Sequence, residues 1–267
     1  MSISLPTRDT ATMLRRNLRH IQRYPSLTLM LLAQPVLILL LFVFVFGETL
    51  GAGVSPDLTG GGRAAYLEYV VPGILLFAIA GVGLGTAISI AADRTKGIMS
   101  RFRTMGIARS AVLAGEVLGS MVQAAFVLVV VSLVALLLGY RPAGSVAGWL
   151  AALGLGLAIA MPLIWLCLAM GLSARSVETA SNTPLLLIML LFLSSGFVPA
   201  ESYPMGLRWF AEKQPFTPMI EAVRGLLDGT TAGSTLVVAL AWCAVLSLVG
   251  YLWARHLYER EPAPVAG

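Results

Sequence analysis

The sequence predicts an all-α membrane protein: a six-span transmembrane helical bundle with an N-terminal amphipathic interfacial helix and short re-entrant helices between spans five and six. Composition is the first reason. Hydrophobic residues make up 58% of the chain and charged residues 12%, and the mean hydropathy is +0.86. That is the profile of a chain whose main solvent is lipid. The second reason is run length: the apolar residues gather in stretches of about twenty or more, the number that crosses about 30 Å of hydrocarbon, and 267 residues hold roughly six such stretches with their connections. The third is the placement of the arginines, which collect in short segments between the runs.

Residues 1–25 form the first element. Leu14, Leu18 and Ile21 recur at helical spacing, while Arg8, Arg15, Arg16, Arg19 and Arg23 cover the remaining surface, the pattern of a cytoplasmic helix lying in the membrane interface. A solvated basic tail is the plainer alternative. A cleaved secretory signal fits poorly, because the polar lead is long, the next apolar run is of full spanning length and no small-residue cleavage site follows. The transmembrane domain then occupies 26–254. Span one is 26–46, with Pro35 as a tolerated kink, and 47–68 is a polar loop containing Gly60, Gly61 and Gly62. Span two is 69–92, followed by a strongly basic loop at 93–110. Span three is 111–138, a turn at 139–145 leads to span four at 146–172, and a polar link at 173–178 leads to span five at 179–198. Span six is 234–254, and 255–267 is a cytoplasmic tail.

Between spans five and six, 199–233 is neither span nor ordinary loop. It interleaves Pro199, Pro204, Pro215 and Pro218 with Trp209, Phe210, Phe216, Ile220, Val223, Leu226 and Leu227. Thr217-Pro218 reads as a helix start and Gly229 as a stop, so 218–228 is expected to be a short amphipathic helix. Two short helices dipping into the outer membrane face account for the pattern. A compact extracellular loop resting on headgroups is the alternative.

Orientation follows from the basic residues. With the N-terminus inside, the inner segments hold Arg8, Arg15, Arg16, Arg19, Arg23, Arg94, Lys96, Arg101, Arg103, Arg109, Arg175, Arg255 and Arg260. Arg63, Arg141, Arg208, Lys213 and Arg224 remain outside. The positive-inside rule selects this arrangement and places both termini of a multi-pass protein in the cytoplasm. It also explains the net charge of +5 without nucleic acid.

Several function classes are disfavoured. Cys167 and Cys243 fall inside apolar runs and read as buried free thiols. His20 and His256 have no acidic or thiol neighbours at metal-ligand spacing, so no metal site and no catalytic constellation stand out. No glycine-rich phosphate loop of the form GxxxxGK followed by Ser or Thr occurs, so by this motif the chain does not hydrolyse ATP itself. An ion-coupled carrier ordinarily keeps ionisable groups in its spans at a cost of about 3 kcal/mol or more each; only Glu116 lies within one, near the inner surface, where it can favour the helix N-terminus or reach Arg109. Gly81, Gly85 and Ser89 set small residues at four-residue spacing along span two, which suits a dimer seam or an internal helix contact. Asn182, Ser194 and Ser195 give span five polar groups that either line a path for amphipathic cargo or bond to neighbouring helices.

Three passages resemble the permeases of ABC type 2 exporters, and within them the daunorubicin-resistance permease group of bacteria. They are DRTKGIMSRFRTMGIARS at 93–110, LSSGFVP at 193–199, and QPFTP at 214–218 with EAVRGLL at 221–227. The resemblance covers nearly the whole chain in order and spacing, and departs at Gly106-Ile107, where many relatives have a proline. It implies the permease subunit of an ATP-binding-cassette exporter, moving an amphipathic drug, lipid or glycoconjugate, with no cofactor of its own. ATP and magnesium would reside on a separate ATPase subunit. It also implies pairing with a second copy or a related permease, amid membrane lipids, around a path often ascribed to spans two and five. A permease without a nucleotide site must receive force through an element protruding into the cytoplasm, and 93–110 is the longest inner loop. Arg94, Lys96, Gly97, Met99, Arg101, Phe102, Arg103 and Met105 are therefore the expected ATPase-coupling residues, with Phe102 between two guanidinium groups as the anchor type most common at interface hot spots. A membrane enzyme or scaffold, or an ion-coupled carrier, working without an ATPase is the alternative.

Overall fold

In the computed structural model, described over residues 4–23, 25–54, 62–98, 109–141, 143–230 and 233–260, every regular element is helical. Helix α1 (Ser4–Arg23) precedes α2 (Pro25–Leu41), which runs through a π-helical turn, Phe42–Phe46, into α3 (Gly47–Val54). Next come α4 (Arg63–Thr95), α5 (Arg109–Leu137) and α6 (Val146–Ser173). Two short helices, α7 (Val177–Asn182) and α8 (Leu185–Phe192), are followed by a 3-10 turn (Ala200–Ser202), α9 (Met205–Lys213), α10 (Phe216–Asp228) and α11 (Gly233–Arg260).

Five helical segments are long and apolar enough to cross a membrane: Leu29–Gly51, Arg63–Thr95, Ala111–Leu137, Val146–Ser173 and Gly233–Arg260. The segment expected as span five is broken instead of continuous. Pro184 carries no N–H to extend α7, and the chain restarts as α8 before leaving helical geometry at Leu193. The expected loop at 47–68 also differs, being helical at both ends. Gly47 keeps helical dihedrals (φ −59°, ψ −34°) and Thr49 Oγ1 donates to the Phe46 carbonyl at 3.0 Å, so the polar residues extend the helix. Gly51 then sits against the backbone of Gly62, and Glu48 lies 3.6 Å from Arg63, which makes the return a close helical hairpin.

Helix α4 is the centre of the fold. It is buried round nearly its whole circumference, with Val70, Ile74, Leu76, Ile79 and Val82 fully enclosed, and it touches α2, α3, α5, α6, α7, α8 and α10. Lipid is as apolar as leucine, so helix association depends on close van der Waals approach, which small residues permit. A Cβ on Gly73 would lie 2.5 Å from the Gly196 carbonyl oxygen, and one on Gly83 would lie 2.9 Å from Cys167 Sγ. Gly171 meets Ala87 and Ile90 in the same way, and Gly250 lets α11 seat on Trp165 of α6. Cys167 and Cys243 are both free and buried. The outer surfaces of α2, α5, α8 and α11 carry the exposed leucines, valines and phenylalanines, the faces suited to lipid.

The short helices follow their local signals. Gly229 ends α10 in the left-handed conformation (φ 73°), as its position predicts, while the helix starts at Phe216, two residues earlier than the Thr217-Pro218 cue suggests. The α5–α6 turn closes on α10 through Gly144 N–H, which donates to the Leu227 carbonyl at 2.8 Å.

Candidate functional site

Two polar assemblies stand at opposite ends of α4. At the C-terminal end, the helix stops where Gly97 adopts φ 69°, with Lys96 N–H donating to the Ala92 carbonyl and Gly97 N–H to the Arg94 carbonyl. Arg94 reaches the end of α6. Its Nη1 donates to the carbonyls of Leu172 at 2.6 Å and Ala174 at 2.9 Å, capping the C-terminal end of α6 with a positive charge where the helix dipole favours one. Lys96 is exposed. Met99, Arg101, Phe102, Arg103 and Met105 lie outside the described residues.

Helix α1 is docked onto this end through specific contacts that its periodicity alone did not reveal. Met13 is buried opposite Gly115, and Asn17 lies against Gly119. Asn17 Nδ2 donates to Glu116 Oε2 at 2.9 Å, and Arg16 pairs with Asp93 at 2.7 Å. Glu116, read in the sequence as favouring the helix N-terminus or reaching Arg109, is bonded by α1, while the Arg109 side chain lies outside what the structure describes. The available signal was Gly115 and Gly119 bracketing Glu116 on the first turns of span three: two small residues and one acid that a helix can approach. Gly81 and Gly85 face Leu31 of α2, within ordinary contact distance at 3.7 to 4.0 Å, so their stripe meets a helix of the same chain. Ser89 interacts with Glu116.

At the N-terminal end of α4, the chain leaves helical geometry after α8 while still enclosed. Ser194, Ser195, Gly196 and Phe197 are buried, and peptide groups freed in such surroundings need partners. Side chains supply them. Tyr66 Oη donates to the Phe197 carbonyl at 3.0 Å, Tyr69 Oη to the Ser195 carbonyl at 2.7 Å, and Tyr203 Oη to the Phe192 carbonyl at 3.2 Å. Ser194 bonds through its hydroxyl to the Leu191 carbonyl, and Ser195 N–H donates to Thr217 Oγ1 at 3.3 Å. From α10, Arg224 Nη2 donates to the Ser195 carbonyl at 2.9 Å and the Tyr69 carbonyl at 3.2 Å, with its guanidinium 4.0 Å above the Tyr69 ring. Glu221 and Asp228 flank Arg224 on the same helix; burial raises both carboxyls above their ordinary range, and Arg224 opposes the rise. Ser194 and Ser195 are therefore bonded into this assembly, whereas Asn182 is exposed beyond the break. Arg224 entered the sequence reading as one of the few outer positive charges and within EAVRGLL; its partners were missed because Tyr69 and Ser195 are distant in sequence.

Among the described residues, no group of three or more His, Cys, Asp or Glu side chains is placed to hold a metal ion. The assemblies position backbone and helices; they bring together no nucleophile and base.

Comparison with known proteins gives this architecture a family. The chain is 28% identical over 255 residues to the daunorubicin resistance ABC transporter permease protein DrrB1 of Streptomyces coeruleorubidus, covering 95% of this chain and 87% of that protein. It is 23% identical over 192 residues, 69% of this chain and 70% of the relative, to the probable doxorubicin resistance ABC transporter permease protein DrrC of Mycobacterium tuberculosis, in strains CDC 1551/Oshkosh and ATCC 25618/H37Rv alike. The family model of the ABC-2 type transporter matches residues 8–227, from the docked α1 to the end of α10. The chain belongs to the ABC-2 type transporter family.

Proposed function

We propose that this chain is the permease subunit of an ATP-binding-cassette exporter that moves an amphipathic drug, or a lipid or glycoconjugate of similar character, out across the bacterial cytoplasmic membrane. A separate ATPase subunit would supply the energy, holding ATP and magnesium. The observation that carries the reading is the near full-length correspondence with drug-resistance permeases. The inner assembly supports it physically. Arg16–Asp93, Asn17–Glu116 and Arg94 with the end of α6 join four helices into one block at the mouth of 93–110, so a push on that loop is delivered to α1, α4, α5 and α6 together.

In this reading Arg94, Lys96, Gly97, Met99, Arg101, Phe102, Arg103 and Met105 form the coupling region. The broken segment Val177–Phe192 with the residues after it makes a sixth crossing, and both termini are cytoplasmic. Helices α9 and α10 re-enter the outer membrane face, and a second permease subunit completes the path. The test is co-purification of the chain from its source membrane with identification of the bound ATPase, followed by ATP-dependent extrusion of daunorubicin from cells that express both. An isolated chain with no nucleotide-hydrolysing partner, in cells whose drug retention is unchanged by its deletion, would point to a stand-alone membrane protein instead.

A further inference from the structure

Segment 193–198 lies where a continuous helix would have satisfied its own backbone. Here the work is given to side chains of other elements, and side chains can exchange partners without unwinding a helix. Tyr66 and Tyr69 belong to α4, so their bonds only fasten the segment to the centre of the bundle. Arg224 differs: it stands on α10 and reaches both the Ser195 carbonyl of the segment and the Tyr69 carbonyl and ring of α4. One guanidinium therefore joins three elements. Its Nε, buried, has no hydrogen-bond partner, and its two flanking carboxylates, Glu221 three positions before and Asp228 four after, share its helix face. The guanidinium thus has an alternative set of partners on its own helix once it leaves the carbonyls. The end of α10 is bonded through the Leu227 carbonyl to the turn at Gly144, so the Arg224 side chain can change partners without that anchor being released.

We propose that Arg224 is a positioning residue, a latch that holds the unwound outer end of the fifth segment closed against α4, and that its transfer from the Ser195 and Tyr69 carbonyls to Glu221 and Asp228 opens the outer side of the bundle. Its part in transport rests on the exporter reading; its part in closure does not.

The experiment uses the full chain with its ATPase in right-side-out vesicles, with Cys167 and Cys243 replaced by alanine and single cysteines introduced by Ser194→Cys or Ser120→Cys. Ser194 is wholly buried at the break, and Ser120 is buried between α4 and α5, bonded to Thr86. A membrane-impermeant maleimide is the probe, applied first without nucleotide. Arg224→Ala is expected to speed labelling of Ser194→Cys about tenfold or more, the loss of charge-assisted bonds to two carbonyls, while Ser120→Cys stays protected. Arg224→Lys keeps the charge and a single donating nitrogen but not the planar guanidinium over the Tyr69 ring, and is expected to move the rate in the same direction by less. Unchanged protection of Ser194→Cys in both variants at equal abundance overturns the latch. So does an equal rise at Ser120→Cys, which would mean general loosening. ATP then separates the two readings. Labelling of Ser194→Cys that rises with ATP when Arg224 is present, and is already high without ATP in Arg224→Ala, supports both. Labelling that depends on Arg224 but not on ATP supports the latch and counts against the exporter reading alone.

Discussion

Asn17 of the surface helix α1 donates a 2.9 Å hydrogen bond to Glu116, the one acidic side chain in α5, and so ties an element that periodicity places on the membrane to the interior of the bundle. A carboxylate at that depth is costly to leave without a donor, and a charge-assisted bond is worth about 1.5–3 kcal/mol. Asn17→Ala is expected to destabilise the detergent-solubilised chain by about 1–3 kcal/mol. Glu116→Gln should lose less, because a neutral amide oxygen can still accept from Asn17 and costs less to bury. In a double-mutant cycle the pair should couple by about 1 kcal/mol or more. Strict additivity in thermal unfolding would show that α1 docks through Met13 and its apolar face alone.

Close backbone approach makes a second, geometric prediction. A Cβ at position 73 meets the Gly196 carbonyl oxygen at 2.5 Å, whereas one at position 85 meets only Leu31 methyls at 3.7 Å and one at 154 meets open space. Gly73→Ala is expected to cost about 1–3 kcal/mol, since backbone on both sides must shift. Gly85→Ala and Gly154→Ala should stay within about 0.5 kcal/mol of the parent chain, or gain slightly from helix propensity. Thermal unfolding of the three variants in one detergent checks the ranking, and an equal loss at 73 and 85 would place the tight contact wrongly.

These two cases show what the sequence exposes and what it hides. Run length and arginine placement located every long helix, and the Gly229 stop located the end of α10, because each is a local signal with a local cause. The loop at 47–68 misled because polarity reads as exposure, while Gly47 and Gly51 were small for a different reason: α4 returns against them. Small-residue spacing showed that Gly81 and Gly85 could meet a neighbour but not which one, and the tightest approach along α4 lies at Gly73, outside that stripe. The outer assembly was legible only as an unusual run, Ser194-Ser195-Gly196, since its partners Tyr66, Tyr69 and Arg224 are distant in sequence. Contacts of that kind have no periodic signature.

Helix α9 presents Met205, Leu207, Trp209 and Phe210 outward, with Trp209 65% exposed. If α9 lies in the outer interface, Trp209→Cys should react with a charged, impermeant maleimide at least about tenfold more slowly than Glu201→Cys on the preceding 3-10 turn, because apolar burial in headgroups excludes the reagent. Equal rates would make 199–233 a loop standing in water.

The C-terminal end of α4 separates a structural arginine from the residues proposed for docking. Arg94 spends its Nη1 on the Leu172 and Ala174 carbonyls, whereas Lys96, two residues on, is exposed. Arg94→Ala should therefore lower stability by about 1.5–3 kcal/mol, the worth of charge-assisted bonds to a helix end, and reduce ATPase binding only as far as the block at the mouth of the loop loosens. Lys96→Ala should leave unfolding unchanged and weaken ATPase binding modestly, in a salt-dependent manner, as a rim charge does. Phe102→Ala tests the anchor itself: it changes no charge, so topology is preserved, and loss of a hot-spot aromatic costs roughly 2 kcal/mol or more, about thirtyfold in affinity. Thr95→Ala, which removes only a bond to the Ala92 carbonyl of its own helix, is the control. The measurement is ATPase co-purification and hydrolysis stimulated by daunorubicin, set beside thermal unfolding, for all four variants at equal membrane abundance. The expected order for ATPase binding puts Phe102→Ala weakest and Thr95→Ala at parent strength, while the order for stability puts Arg94→Ala lowest. Phe102→Ala that binds and couples like the parent would remove the aromatic from the interface and leave the loop's arginines, read by their charge alone, as topology signals and headgroup ligands.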